Sequence, residues 1–197
     1  MLLNISKYLL SQNANGPGLR ACIWLQGCNK QCKNCCNSEY QPFIIKELIT
    51  SNDLADRIIY DMKEKNIRGI TLSGGEPLLP ANHGGIISLI EKVKDKSPEI
   101  DIFVFSGYSE KEIRTPLFEK IIPHIDMIIA GPYIEKEKNI LGLIASFNQR
   151  IIRNSHKFDD ITNEELINGK RFIEIHNDGD KICITGLISP SEISMEF

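Results

Sequence analysis

The sequence predicts an α/β fold, a partial (β/α) barrel of five or six units ending in a β-hairpin. Three observations predict it. Short apolar, β-favouring runs alternate with segments of helical periodicity through the middle of the chain, which implies parallel strands joined by right-handed crossovers. The 197 residues are too few for a complete eight-unit barrel of about 250. Near the end, two β-favouring runs flank an Asp-Gly turn.

The elements follow in order. Leu2 to Leu10 forms a first strand. Residues 12–18, Gln-Asn-Ala-Asn-Gly-Pro-Gly, are dense in turn formers and make a loop. Arg20 to Gln26 is short and apolar, a buried strand. A cysteine-rich loop leaves its carboxyl end. Ser51, Asn52 and Asp53 offer N-cap groups for a helix carrying Leu54, Ile58, Ile59 and Met62 to about Lys65. Arg68 to Leu72 is the next strand, ending in Gly74-Gly75-Glu76-Pro77. A helix marked by Ile86, Leu89, Ile90 and Val93 follows. Asp101 to Phe105 is a third strand of this series, ending in Ser106-Gly107-Tyr108. A helical stretch near Glu110 to Ile122 leads to a strand at Met127 to Ile129. The final hairpin pairs Arg171–His176 with Lys181–Thr185. One domain spans 1–197, with its core at about 19–155 and the hairpin at about 170–187.

Composition narrows the class. Hydrophobic residues make up 42% and charged residues 25%, the balance of a soluble globular protein. No apolar run reaches a membrane span, and the amino terminus lacks the features of a signal peptide. A cytoplasmic location follows as the expectation, where thiols stay reduced and a cysteine cluster binds metal. The net charge is -3 without a basic block, which argues against an extended nucleic-acid surface. No membrane or nucleic-acid partner is expected.

The chemistry centres on Cys28, Cys32 and Cys35, spaced C-x3-C-x2-C. Thiolates are soft ligands, so zinc or an iron-sulfur cluster is indicated. Structural zinc normally takes four protein ligands in two separated pairs. Three thiolates on a four-iron cluster leave one iron open to substrate. Cys22, Cys36 and Cys183 form no second spaced group. Gly74 and Gly75 remove side chains where backbone must approach a ligand. Glu76 supplies an anionic acceptor suited to an ammonium. Functional loops of a parallel sheet gather at the carboxyl ends of its strands. The cysteine loop, the Gly-Gly-Glu-Pro turn and the Ser-Gly-Tyr turn all fall there. His83, His124, His156 and His176 are scattered and read as surface or packing residues.

Together the cysteine spacing and the Gly-Gly-Glu turn resemble the radical S-adenosylmethionine (SAM) superfamily. The resemblance implies an open partial barrel, a [4Fe-4S] cluster on Cys28, Cys32 and Cys35, and SAM chelating the fourth iron. It implies that Gly74, Gly75 and Glu76 bind the SAM amino group. Ser106 stands where a hydroxyl often meets the ribose or carboxylate, though a serine capping the next helix reads equally well. Asn34 stands beside the adenine position and keeps a backbone contact possible.

A closer resemblance is to small glycyl-radical activating enzymes, of the anaerobic ribonucleotide reductase and pyruvate formate-lyase activase types. It is carried by Gly16-Pro17-Gly18-Leu19-Arg20, by Gln26-Gly27-Cys28 through Cys35-Cys36-Asn37, by Phe105-Ser106-Gly107-Tyr108 with Glu110 and Glu112, and by Ser146-Phe147-Asn148-Gln149-Arg150. It extends the cofactor-binding set to Cys36 and Asn148. Cys36 stands where the family has histidine or tyrosine. Asn15, Phe105 and Ala130 stand where one branch has acidic residues. Cys35-Cys36-Asn37 argues against 7-carboxy-7-deazaguanine synthase, which has Cys-Asp-Thr there.

The resemblance implies that a flavodoxin or ferredoxin reduces the cluster and that SAM is cleaved to a 5'-deoxyadenosyl radical. That radical takes hydrogen from a glycine of a large partner enzyme, and no protein side chain is assigned as catalytic. Two other readings stand beside this one. The first is a radical SAM enzyme acting on a ribosomal peptide or small metabolite. The second is a non-enzymatic iron-sulfur or zinc protein.

Overall fold

The structure, a computed structural model, describes residues 1–177, 179 and 182–188. A mixed seven-stranded sheet carries the chain. Its strands are β1 (Leu2–Ser11), β2 (Arg20–Leu25), β3 (Glu47–Thr50), β4 (Gly69–Gly74), β5 (Asp101–Ser106), β6 (Met127–Ala130) and β7 (Arg150–Arg153), in the spatial order β3-β1-β2-β4-β5-β6-β7. The four central strands β2, β4, β5 and β6 are parallel, with Arg20 beside Gly69, Gly69 beside Asp101 and Phe103 beside Met127. Antiparallel pairs close both sides, β1 with β2 and β3 on one flank and β7 with β6 on the other. The architecture is α/β as expected. The described parallel part holds four strands and three crossovers, fewer than the five or six units that length suggested. The reason is that β1 and β7 run antiparallel to the central strands and flank them, with short β3 beyond β1 at the edge.

Two helices make full crossovers. Helix α1 (Ser51–Glu64) is capped by Thr50, whose hydroxyl accepts the Asp53 N–H at 3.1 Å, one residue before the expected caps. Helix α2 (Pro80–Lys96) opens on a proline, which tolerates the first turn because its missing N–H has no partner to lose there. The stretch expected as a helix from Glu110 to Ile122 is broken. Helix α3 (Glu110–Ile113) lasts one turn, and 3-10 turns at Pro116–Phe118 and Ile122–His124 complete the crossover, each with a proline near its start.

Strand alternation divides the core. On one face, Ala21, Ile23, Leu25, Ile70, Leu72, Ile102, Val104 and Ile128 pack against Leu54 and Ile58 of α1 and Leu89 and Val93 of α2. On the other, Phe103, Met127 and Ile129 meet Leu143, Ile144, Phe158 and Leu166, while Cys22 and Trp24 meet Tyr40. Burial on both faces explains why these strands read as continuous apolar runs. Leu166 belongs to helix α4 (Asn163–Asn168), whose capping box is Thr162 with Glu165.

Strands β8 (Glu174–Asn177) and β9 (Ile182–Thr185) pair antiparallel, with Ile175 opposite Ile184. They are shorter than the runs read from sequence, and Asp178, Asp180 and Lys181 of the turn lie outside the described residues. The pair is tied to the loop at 12–14. The Glu174 Oε1 accepts the main-chain N–H groups of Gln12, Asn13 and Ala14 at 2.8, 2.9 and 3.1 Å. No helix of the described residues is long and apolar enough to cross a membrane.

Candidate functional site

One cleft at the carboxyl ends of β2, β4, β5 and β6 gathers the motif residues. It encloses about 860 Å³ of empty space, part of it open to solvent. Cys28, Cys32, Cys35, Glu76 and Ser106 all line it. None of the four histidines is among its described lining residues.

The cysteine loop is closed at its base by backbone. The Gly27 and Cys28 N–H groups donate to the Tyr40 and Gln41 carbonyls at 2.8 and 2.9 Å. The Gln41 side chain crosses the loop and donates to the Cys32 carbonyl at 3.1 Å. Gln31 and Asn34 adopt left-handed backbone, with φ of 47° and 58°, which lets so short a segment wrap on itself. Asn34 lines the cleft.

Burial pushes the Cys28 and Cys32 thiols up. The Cys36 thiol, hydrogen-bonded to Cys35, draws the Cys35 thiol down to about 7 and is itself raised. Cys36 thus touches a candidate ligand and lines the same cleft. No three described His, Cys, Asp or Glu side chains converge closely enough to hold a single metal ion. Three soft thiols lining one cleft are a donor set that a multi-iron cluster, with each cysteine on a different iron, would take.

Gly74 and Gly75 line the cleft, and they also have a packing role. Each also approaches protein backbone closely. Gly74 has φ +102°, and a Cβ there would lie 2.5 Å from the Leu25 N and O atoms. A Cβ on Gly75 would lie 2.2 Å from the Gly27 carbonyl oxygen and 2.8 Å from that of Tyr40. The Gly75 N–H donates to Leu25 O and the Glu76 N–H to Gly27 O, at 2.8 and 2.9 Å. The glycines therefore weld the Gly-Gly-Glu turn to the base of the cysteine loop.

Glu76 is fully buried. Its Oε1 accepts the Ser106 hydroxyl at 2.8 Å and the Leu78 N–H at 2.9 Å, and its Oε2 accepts the Gly107 N–H at 2.7 Å. Burial drives its carboxyl up to about 7 against the pull of these donors. A carboxylate offers about four acceptor positions, so one remains, on Oε2. Ser106 is committed to Glu76 and to the Tyr108 N–H, which it accepts at 3.1 Å. It caps no helix; Ser109 does that for α3.

Asn148 differs from the expectation. Its amide is spent on protein, accepting the Ser146 hydroxyl at 2.6 Å and donating to the Pro132 carbonyl at 2.8 Å. Gln149, rather than Asn148, lines the cleft, donating to the Gly131 carbonyl at 3.0 Å.

The cleft also brings in residues that the motifs did not indicate: Lys30 from within the cysteine loop, and Tyr133, Lys138, Asn139 and Arg171 from the far wall. Arg171 donates to the carbonyls of Gly142, Leu141, Ile144 and Leu187 at 3.0–3.2 Å. It pins the segment after the hairpin, where Leu187 also lines the cleft. Nothing local in the sequence marks a contact between residue 171 and a loop 30 positions earlier.

Comparison with known proteins adds an independent line. Residues 14–152 match the family described as 4Fe-4S single cluster domain. The chain is 33% identical over 137 residues to the anaerobic ribonucleoside-triphosphate reductase-activating protein of Vibrio cholerae, covering 68% of this chain and 87% of that one. The protein of the same name from Pasteurella multocida is 31% identical over 156 residues, covering 77% and 98%. That from Escherichia coli K12 is 29% identical over 145 residues, covering 70% and 89%. Among solved structures, QueE from Escherichia coli aligns with a TM-score of 0.42 and 18% identity, over 55% of this chain and 54% of that one.

Proposed function

We propose a function from the premise that this chain belongs to the 4Fe-4S single cluster domain family, alongside the anaerobic ribonucleoside-triphosphate reductase-activating proteins. The chain is a radical SAM activating enzyme that uses a [4Fe-4S] cluster and SAM. Its substrate is a glycine of a glycyl-radical enzyme, an anaerobic ribonucleotide reductase. The observation that carries this is the 33% identity spanning 87% of the Vibrio cholerae activating protein. The family match at 14–152 includes the three cysteines, Glu76 and Ser106.

The donor set fits the cluster. Cys28, Cys32 and Cys35 would hold it, three soft ligands lining one cleft. The chemistry supplied there, once cluster and SAM are bound, is one-electron cleavage of SAM to a carbon radical that takes a hydrogen atom.

The protein's own residues do the rest. Glu76, in its ionised form, has one free acceptor position for the SAM ammonium. The Ser106 hydroxyl and the Gly107 and Leu78 N–H groups hold that carboxylate in place. Asn34 and Cys36 contribute the wall beside the cysteines. Phe105 and Leu187 add apolar surface that excludes water from a reactive centre. The cleft stays partly open, which suits entry of a polypeptide segment. A flavodoxin or ferredoxin would supply the electron, and a reducing cytoplasm would keep the thiols available.

The test is electron paramagnetic resonance on a candidate reductase incubated anaerobically with this protein, SAM and reductant. A glycine-centred doublet on the reductase is expected. SAM consumption without that signal would redirect the reading to a peptide or small-metabolite substrate.

A further inference from the structure

We propose that Lys30, anchored by Glu112, sets the reduction potential of the cluster held by Cys28, Cys32 and Cys35. The inference rests on the cluster assignment made above.

Lys30 lies inside the cysteine loop, and its main-chain N–H donates to the Cys28 sulfur at 3.4 Å. Its side chain lines the cleft and turns back towards the end of β5. The stem passes over Gly107, where a Cβ would lie 2.8 Å from Lys30 Cγ and 3.2 Å from Glu76 Oε2. The ammonium then sits 4.0 Å from the centre of the Tyr108 ring. It donates to Glu112 Oε1 at 2.7 Å. Glu112 is fixed in turn, because its Oε2 accepts the Ser109 N–H at 2.8 Å and hydroxyl at 2.7 Å. The neighbouring Asn29 amide donates to the Tyr108 hydroxyl at 2.8 Å. Main chain and side chain of the loop are thus both locked to the 106–112 turn.

A charge so placed has an electrical consequence. Reduction adds one negative charge to a cluster, and nearby net charge and hydrogen bonds to sulfur set its potential. The Lys30 side chain is only 17% exposed and that of Glu112 is 46% exposed. Water therefore screens the carboxylate better than the ammonium. The pair acts on the cluster as a partly masked cation, which favours the reduced state.

This makes the two partners distinguishable. Lys30→Met removes the cation and leaves the anion, so the potential shifts negative. Glu112→Gln unmasks the cation, so the potential shifts positive, and a glutamine still completes the cap with Ser109. A purely mechanical clamp gives no such opposition, because both variants break the same contact.

The experiment is an EPR-monitored redox titration of the anaerobically reconstituted full chain, without SAM. Lys30→Met, Glu112→Gln, the double variant and Lys30→Arg are compared with the parent. Opposite shifts in the two single variants, an intermediate double variant and an unshifted Lys30→Arg are the expected result. Shifts of the same sign, or none, overturn the inference while the cluster assignment stands. If Lys30→Met retains no cluster, Glu112→Gln decides: a positive shift supports the inference and an unmoved potential overturns it. A parent chain that takes up no iron or sulfide overturns the cluster assignment itself.

Discussion

The Ser106 hydroxyl donates to the Glu76 carboxylate at 2.8 Å, across the ends of two neighbouring parallel strands. That bond, with the Gly107 and Leu78 N–H groups, holds an acid that is fully buried. Its carboxyl rises from the ordinary 4.5 to about 7 because burial outweighs the donors. Between those two values the folded state binds more proton than the unfolded state. The Glu76 contribution to stability is therefore complete below about pH 4.5 and declines as pH rises through about 7. The decline is on the order of 3 kcal/mol.

The check is urea unfolding of the protein without cluster or SAM, at several pH values from 5 to 8. Glu76→Gln should be less stable at pH 5 by about 1–3 kcal/mol, because its NH2 group must face a main-chain N–H. The gap to the parent should narrow as pH rises, since the variant lacks the Glu76 titration. A constant gap would show that the carboxyl is not perturbed.

Iron binding should separate the six cysteines. Reconstituted parent protein should carry close to four irons and four sulfides. Ala at Cys28, Cys32 or Cys35 should lose most of them, whereas Ala at Cys22 or Cys183 should not. Cys22 is buried against the sheet, away from the cleft, and its thiol is pushed up to about 12. Cys36→Ala should keep the cluster, since its thiol contacts Cys35 from beside the motif. Iron and sulfide analysis decides, and stoichiometric zinc without iron uptake would sink the assignment.

SAM recognition should depend on the charge of Glu76. Glu76→Ala should retain the cluster and weaken SAM binding roughly ten- to a hundred-fold. A carboxylate–ammonium hydrogen bond is worth about 1.5–3 kcal/mol. Calorimetric titration with SAM measures it. Parent-like affinity would remove Glu76 from the SAM site.

Gly75→Ala should act on the cysteine loop before it acts on any ligand. The added methyl would meet the Gly27 and Tyr40 carbonyl oxygens, and backbone cannot yield as a side-chain tip can. The loop base must move, so reconstituted iron should fall together with SAM binding. If iron content is normal and only SAM affinity drops, the glycine serves the ligand, as the sequence alone suggested.

What could be read from the sequence was local. Residues 69–74, 101–106 and 127–130 are apolar because both sheet faces are covered, so their runs stood out. The cysteine spacing and the Gly-Gly-Glu turn are short motifs that fall at one rim, and the structure places them in one cleft. The edges were harder. Strands β3 and β7 have four residues each, too few to show a period. Helix α4 did leave a signal, since Thr162 and Glu165 have capping-box spacing. The far wall of the cleft, from Tyr133 to Arg171, depends on contacts distant in sequence. The Asn148 amide is taken up by the Ser146 hydroxyl and the distant Pro132 carbonyl, which its local motif does not reveal.

The last prediction concerns Arg20, which closes the Gly-Pro-Gly-Leu-Arg stretch. Its guanidinium is fully buried and pairs with Asp101, to which Arg68 Nε also donates at 2.9 Å. It further donates to Thr71 Oγ1 at 2.7 Å, Ile70 O at 2.9 Å and Pro17 O at 3.1 Å. Phe103 and Phe158 each lie 5.6 Å from its charge. Removing one member of a buried pair strands the other without compensation, at about 3–5 kcal/mol. Asp101→Ala should therefore lower unfolding stability by about that much. Pairing it with Arg20→Met should recover only part of the loss, because the Pro17 and Ile70 carbonyls then lose their donor. Chemical denaturation of both variants tests this. The folded fraction of Asp101→Ala should still take up iron, since neither residue lines the cleft. A loss below about 1 kcal/mol, or a stable variant that binds no cluster, would mean that this arginine serves the site rather than the fold.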